Sequence, residues 1–174
     1  MPGLRALLRL IDRLSWAAAI VAAACLALLA IVILAEVISV WAFNKSLEFS
    51  WEYGAFFMAG SFFLGLGWTL GEGGHVRVGI LAEHLPSAAA RLLDLAATII
   101  ALIIAGFLTF ALAGLAWSSF SDGSRTFTAT ATPLVIPQAV ITIGALILTL
   151  QLVARLVRLI WPEASSTASD MRAR

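Results

Sequence analysis

Charge is what this chain has least of. Asp, Glu, Lys and Arg make up 12% of its 174 residues, against roughly 25% in soluble domains, so water is not its main solvent. The net charge of +1 and the absence of a basic run leave no groove or tail suited to nucleic acid. A single cysteine, Cys25, excludes an internal disulfide and a cysteine metal cage. Histidine occurs twice, as His75 and His84, both outside the long apolar runs. A haem held between spans would have no ligands there, and a tetrahedral zinc site would lack close spacing and further donors. No cofactor or metal is expected. The length allows one compact bundle without an appended soluble domain, so no enzymatic activity is expected either.

What the chain has instead is apolar length: 61% of its residues are hydrophobic and the mean hydropathy is +1.01. Four runs, at about residues 16–43, 51–70, 92–118 and 134–160, each approach or exceed the roughly 20 residues of a spanning helix. None alternates polar with apolar as a barrel strand does, and lipid admits only helices or closed barrels. The expected fold is an all-α integral membrane protein with four transmembrane helices in a single domain, followed by a polar, disordered tail at 162–174. Arg5, Arg9 and Arg13 precede the first run, Arg77 and Arg91 lie between the second and third, and Arg155, Arg158, Arg172 and Arg174 close the chain. Only Lys45 and Arg125 fall in the other two loops. Cytoplasmic loops carry the basic excess, so both termini are expected in the cytoplasm. Trp16, Trp41, Trp51, Trp68, Trp117 and Trp161 all fall near predicted span ends, as an interfacial aromatic belt requires.

Several segments admit two readings. Ala22-Ala23-Ala24-Cys25 faintly resembles a lipoprotein cleavage site, but the apolar run continues past Cys25 and a retained first helix is expected. Arg5, Arg9, Asp12 and Arg13 share one helical face, so the N-terminal segment either lies along the membrane surface or extends the first helix. Glu36, about seven residues inside the end of the first run, is read as a satisfied structural carboxylate; a proton relay is the alternative. Asp94 is read as an interfacial charge near a helix N-terminus, where the dipole favours it. Gly67 and Gly71 form a GxxxG, which lets helix backbones approach in lipid. His75 and Arg77 suit either an anchor at the lipid headgroups or a docking element for a partner, with Gly71, Gly73 and Gly74 permitting a tight return.

An ordered set of short motifs then narrows the class. Phe43-Asn44, Glu52-Tyr53-Gly54, Phe63-Leu64-Gly65-Leu66-Gly67, Thr69-Leu70, and Glu72-Gly73-Gly74-His75-Val76-Arg77-Val78 resemble the small, DctQ-type membrane subunit of tripartite ATP-independent periplasmic (TRAP) transporters. Thr132-Pro133-Leu134-Val135-Ile136-Pro137-Gln138, followed by Gly144, is similar to that family's entry to its fourth helix. Two positions depart from the pattern: Val40 stands where an arginine is frequent, removing a possible partner for Glu52, and Gly79 stands where an acidic residue is frequent. The resemblance implies a non-catalytic subunit of a secondary transporter in the bacterial inner membrane. Its implied partners are a large multi-span permease subunit, a periplasmic binding protein that delivers an organic acid, and membrane lipid. The expected contact set is Glu52, His75, Arg77, Pro133, Pro137 and Gln138. A self-contained proton-coupled exporter using Glu36 is the competing reading.

Overall fold

The computed structural model describes residues 2–72, 86–128 and 130–161. They form four long helices: α1 (Pro2–Phe43), α2 (Glu48–Gly71), α3 (Ser87–Ser121) and α4 (Val135–Ile160). Each is long and apolar enough to cross a membrane, so the protein is an all-α four-span membrane protein. The apolar runs become helices because lipid offers their backbone no hydrogen-bond partner except itself.

Helix α1 is longer than any bilayer requires, at 42 residues or roughly 63 Å. The N-terminal segment thus continues the first helix without a break. The reason lies in the pattern of its inner face. Leu4, Leu8, Ile11, Ser15, Ala18, Ala22, Cys25, Leu29, Val32, Glu36 and Ser39 are all at least half-buried, in alternating steps of four and three. That spacing averages 3.5 residues per turn, the register of left-handed, ridge-in-groove packing between nearly antiparallel helices. Most residues between these positions are exposed, as expected of a surface that meets lipid. Trp16 and Trp41, both outward, stand roughly 37 Å apart along the helix. This distance matches a hydrocarbon core with its interfaces and leaves residues 2–15 projecting beyond it.

Helix α1 stops at Asn44, which adopts a left-handed conformation (φ 50°) while its N–H bonds the Val40 carbonyl at 3.0 Å. Asparagine tolerates that conformation better than most residues, so the Phe43-Asn44 motif has a local structural cause. The chain then turns directly into α2.

The helices pack in the order α1, α2, α4, α3, with α1 also touching α4. Close approach in the middle depends on glycine. A Cβ at Gly144 of α4 would lie 2.6 Å from the carbonyl carbon of Phe63 and 2.9 Å from the Leu64 nitrogen, both backbone atoms of α2. The Gly67/Gly71 pair faces the same way: Ser15 and Ile147 press on Gly67, and the Gln151 side chain lies over Gly71. The GxxxG of the sequence therefore receives α1 and α4 of the same chain. Three small apolar clusters fill the seams: Leu8, Ile11 and Ala154 where α1 crosses α4, Ala18, Ala22 and Leu64 between α1 and α2, and Leu70, Ala105 and Leu152 where α3 joins.

Candidate functional site

The polar side chains of this bundle gather at its two ends, and the mid-span hydroxyls are absorbed by their own helices. Thr69, Thr109, Thr142 and Thr149 each donate to the carbonyl four residues earlier, at 2.6–2.9 Å. Thr109 and Thr149 also meet across α3 and α4 at 3.0 Å. Such back-bonding removes a hydroxyl from the set that could serve a polar ligand.

At the end where α1 begins and α4 finishes, Arg158 of α4 donates to both carboxylate oxygens of Asp12 on α1, at 2.9 and 2.8 Å. Beside this fork, the Gln151 side-chain amide donates to Asp12 Oδ1 at 3.2 Å and to Ser15 Oγ at 2.8 Å. Gln151 is 2% exposed and Ser15 1% exposed. One turn away, Arg155 pairs with Asp94 of α3 at 2.5 Å, and Arg91 Nη2 donates to the Leu159 carbonyl at 3.0 Å. The expectation for Asp94 is corrected by this pairing: α3 begins at Ser87, so Asp94 sits about two turns in, beyond the reach of the helix dipole, and its carboxylate is held by a guanidinium. Between these helix ends lies an open cleft of about 270 Å³, lined by Leu70, Gly71, Asp94, Gln151, Arg155, Arg158 and Leu159.

At the opposite end two carboxylates organise the loops. Glu36, near the end of α1, accepts hydrogen bonds from Ser46 Oγ at 2.6 Å, the Leu47 N–H at 2.7 Å and Ser50 Oγ at 3.0 Å. Leu47 is the N-cap residue of α2 and offers no capping side chain. Glu36 instead accepts the N–H of Leu47 itself from the preceding helix, and its negative charge there complements the α2 dipole.

Glu52, one turn into α2 and 8% exposed, faces the loop between α3 and α4. Thr126 Oγ1 donates to its Oε1 at 2.8 Å, and the hydroxyls of Thr128 and Thr130 meet Oε2. The loop is closed by backbone bonds from Thr126 N–H to the Thr132 carbonyl and from Leu134 N–H to the Ser124 carbonyl, both 3.0 Å. A bridge pairs Arg125 with Pro133. Ala131 occupies a left-handed conformation (φ 45°), an uncommon place for alanine.

Of the residues expected at a partner contact, Glu52 bonds the threonines of this loop, Pro133 belongs to the loop through its bridge to Arg125, and Pro137 and Gln138 sit in the first turn of α4. The missing N–H of Pro137 costs nothing in a first turn. His75 and Arg77, like Gly73, Gly74, His84 and the tail from 162, lie outside the described residues. Among the described residues no three of His, Cys, Asp or Glu come together as metal ligands. Sequence reasoning missed Gln151, the Asp12–Arg158 fork and the threonine ladder. The ladder did carry a signal: Thr126, Thr128, Thr130 and Thr132 alternate with Phe or Ala, a spacing of two that puts hydroxyls on one side of an extended chain.

A family model described as the DctQ component of tripartite ATP-independent periplasmic transporters matches residues 29–161. No curated protein and no solved structure matches the chain. The matched stretch takes in α2, α3, α4 and the final third of α1, with both carboxylates of the loop end and every residue of the Thr126–Thr132 ladder. Together with the four apolar spans, it shows that this chain belongs to the DctQ family, the small membrane subunits of TRAP transporters.

Proposed function

We propose that the chain is a non-catalytic scaffold in the bacterial inner membrane. It supports a large multi-span subunit that moves an organic acid delivered by a periplasmic binding protein, driven by an ion gradient. The observation that carries this reading is the internal use of the polar groups. Asp12, Glu36, Glu52 and Asp94 each hold partners within the chain, whereas a transport pathway needs polar groups turned toward a substrate at mid-membrane depth. The outward faces of α1 and α3 are apolar instead, with Ile103, Phe107 and Phe110 of α3 among the exposed residues. Such faces suit lipid and the helices of a partner. Both termini are assigned to the cytoplasm from the arginine distribution.

In this reading Glu52 joins the contact set with Pro133, Pro137 and Gln138 by fixing the shape of the loop they border, and His75 and Arg77 supply a second contact on the cytoplasmic side. The test is to tag the C-terminus, extract native membranes in mild detergent, and identify what co-purifies at stoichiometric level. A large polytopic partner is expected, and deletion of this chain should abolish uptake by the assembled transporter. Recovery of the folded chain alone, or uptake that survives its deletion, would overturn the scaffold. In the same complex, alanine at His75 or Arg77 should lower recovery of the partner; unchanged assembly would make both residues lipid anchors.

A further inference from the structure

The open cleft lined by Asp94, Gln151, Arg155 and Arg158 leaves both donors and acceptors unused. Each guanidinium at this end is tied through Nη2 alone: Arg155 to Asp94, Arg158 to Asp12, and Arg91, at the rim, to the Leu159 carbonyl. An arginine has five N–H groups to give, and the Nε and Nη1 hydrogens of all three make no hydrogen bond among the described residues. On the acceptor side, Asp94 is engaged through Oδ1 only. The Gln151 amide nitrogen is taken by Asp12 and Ser15, while its carbonyl oxygen accepts nothing among the described residues. The level of the cleft is marked independently. Trp68 precedes Gly71 by one turn on α2, Trp161 follows Leu159 by two residues, and Trp16 follows Asp12 by one turn on α1, all three exposed. Outward tryptophans near span ends sit at the lipid headgroups, so the cleft opens at that level and not at mid-span.

We infer that this cleft binds the headgroup of a phosphatidylethanolamine-type lipid. The phosphate takes the unused N–H groups of Arg155 and Arg158, and the primary ammonium donates to Asp94 Oδ2 and the Gln151 carbonyl oxygen. Guanidinium suits phosphate because its planar donors match the oxygens in pairs, and basic pockets between spans are recurrent headgroup sites. The ammonium is what the acceptors select. A choline headgroup has no N–H to donate, and a headgroup with phosphate alone leaves Asp94 facing a second negative charge. Arg155 and Arg158 are balanced by Asp94 and Asp12, which favours a headgroup carrying both signs over a purely anionic one. A volume of about 270 Å³ falls just short of the roughly 300–1,000 Å³ that enclose a whole small molecule. It suits a headgroup whose acyl chains lie outside, along the apolar faces of the helices.

The inference is tested on the purified full chain in detergent, by thermal unfolding as phospholipids of one acyl composition are added. Phosphatidylethanolamine should stabilise saturably, at a half-saturating mole fraction about tenfold below that of phosphatidylcholine or phosphatidylglycerol, as a charge-assisted hydrogen bond from the ammonium implies. Asp94→Asn should bring phosphatidylethanolamine to the level of phosphatidylcholine. Asp12→Asn, which breaks the neighbouring fork without lining the cleft, should keep the preference. Gly71→Leu should weaken the response to every phospholipid: a Cβ there stands 3.7 Å from the Gln151 amide nitrogen, and the longer side chain fills the cleft without removing a charge. Equal half-saturation for the three lipids, tighter binding of phosphatidylglycerol, or a preference that survives Asp94→Asn would overturn the assignment. So would soluble glycerophosphoethanolamine stabilising as well as the lipid, since the ligand would then be a free phosphate ester. The measurement needs no partner subunit, so its failure leaves the scaffold reading untouched.

Discussion

Gly144→Ala is the sharpest probe of the packing. A Cβ at this position would stand 2.6 Å from the carbonyl carbon of Phe63 and 2.7 Å from its oxygen, where ordinary contact begins near 3.4 Å. The obstruction is backbone, so no rotamer change relieves it, and α2 and α4 must move apart locally by roughly 0.8 Å. A gap of this size forfeits a quarter to a half of the dispersion energy of the atoms lining it. Overpacking of a rigid contact costs about 1–3 kcal/mol, and the backbone contact puts this variant in the upper part of that range. A loss of 2–3 kcal/mol is roughly a 30- to 140-fold change in the unfolding equilibrium. Two controls isolate the effect. A Cβ at Gly60 meets Cys25 Sγ at 3.4 Å and Val140 at 3.6 Å, and one at Gly114 meets nothing within 4 Å. Gly60→Ala should stay within about 1 kcal/mol of wild type and Gly114→Ala should be neutral or stabilising, since alanine is the better helix former by up to about 1 kcal/mol. The assay is reversible unfolding by SDS in mixed micelles, followed by far-UV circular dichroism. If Gly144→Ala unfolds with Gly114→Ala, α2 and α4 do not approach as described.

The terminal end separates two kinds of polar contact. Asp12→Asn breaks a fork whose members are 29% and 45% exposed, so it should cost under about 1 kcal/mol and its effect should fade with added salt. Gln151→Leu leaves the buried Ser15 hydroxyl without its partner and should cost about 1–3 kcal/mol independent of salt; equal losses, or equal salt dependence, would show that the amide is not buried in this network. At the other end, Glu36→Gln places an amide where the carboxylate accepts from Leu47 and Ser50. Faster hydrogen exchange at the Leu47 amide with unchanged uptake in the assembled transporter is expected, and loss of proton coupling with exchange unchanged would favour the relay.

The spans were legible because hydropathy and length report directly on lipid. Their ends were less so: α1 starts at Pro2 because Leu4, Leu8 and Ile11 keep the spacing of the membrane part and find Ala154 and Leu150, near the other end of the sequence, to pack against. The same distance hid the polar network. Asp12 reads in sequence as one of several charges on a helical face, and only the fold turns it toward Arg158 and Gln151. Asp94 was misjudged for a local reason, since the start of α3 five residues earlier than expected moved it out of the first turn. Nothing in the run of apolar neighbours around Glu36 announces that its hydrogen-bond partners are Ser46 and Leu47 of the connecting segment and Ser50 of α2. The threonine ladder shows the opposite case: the period was visible and its object, Glu52, was not.

The distribution of these contacts bears on how the bundle can move. Helices in lipid gain nothing from the hydrophobic effect against one another, so close packing and hydrogen bonds must hold them. Here the holding points are spread along the whole length: the Asp12–Arg158 fork, Gln151 and the Asp94–Arg155 pair at one end, the Gly144 crossing in the middle, and the Glu36 and Glu52 clusters at the other. A transporter that alternates its access must open each end in turn, which requires contacts at one end to break while those at the other persist. In this chain the polar contacts of one end tie α1 and α3 to α4, and those of the other tie α2 to α1 and to the α3–α4 loop, so opening either end breaks a charged contact. A body clamped in this way serves better as a fixed support than as a moving part. The helix with the least internal support is α3, which packs chiefly on α4 and leaves Ile103, Phe107 and Phe110 outward. If the scaffold reading holds, that flank is where a partner's helices add the most stability.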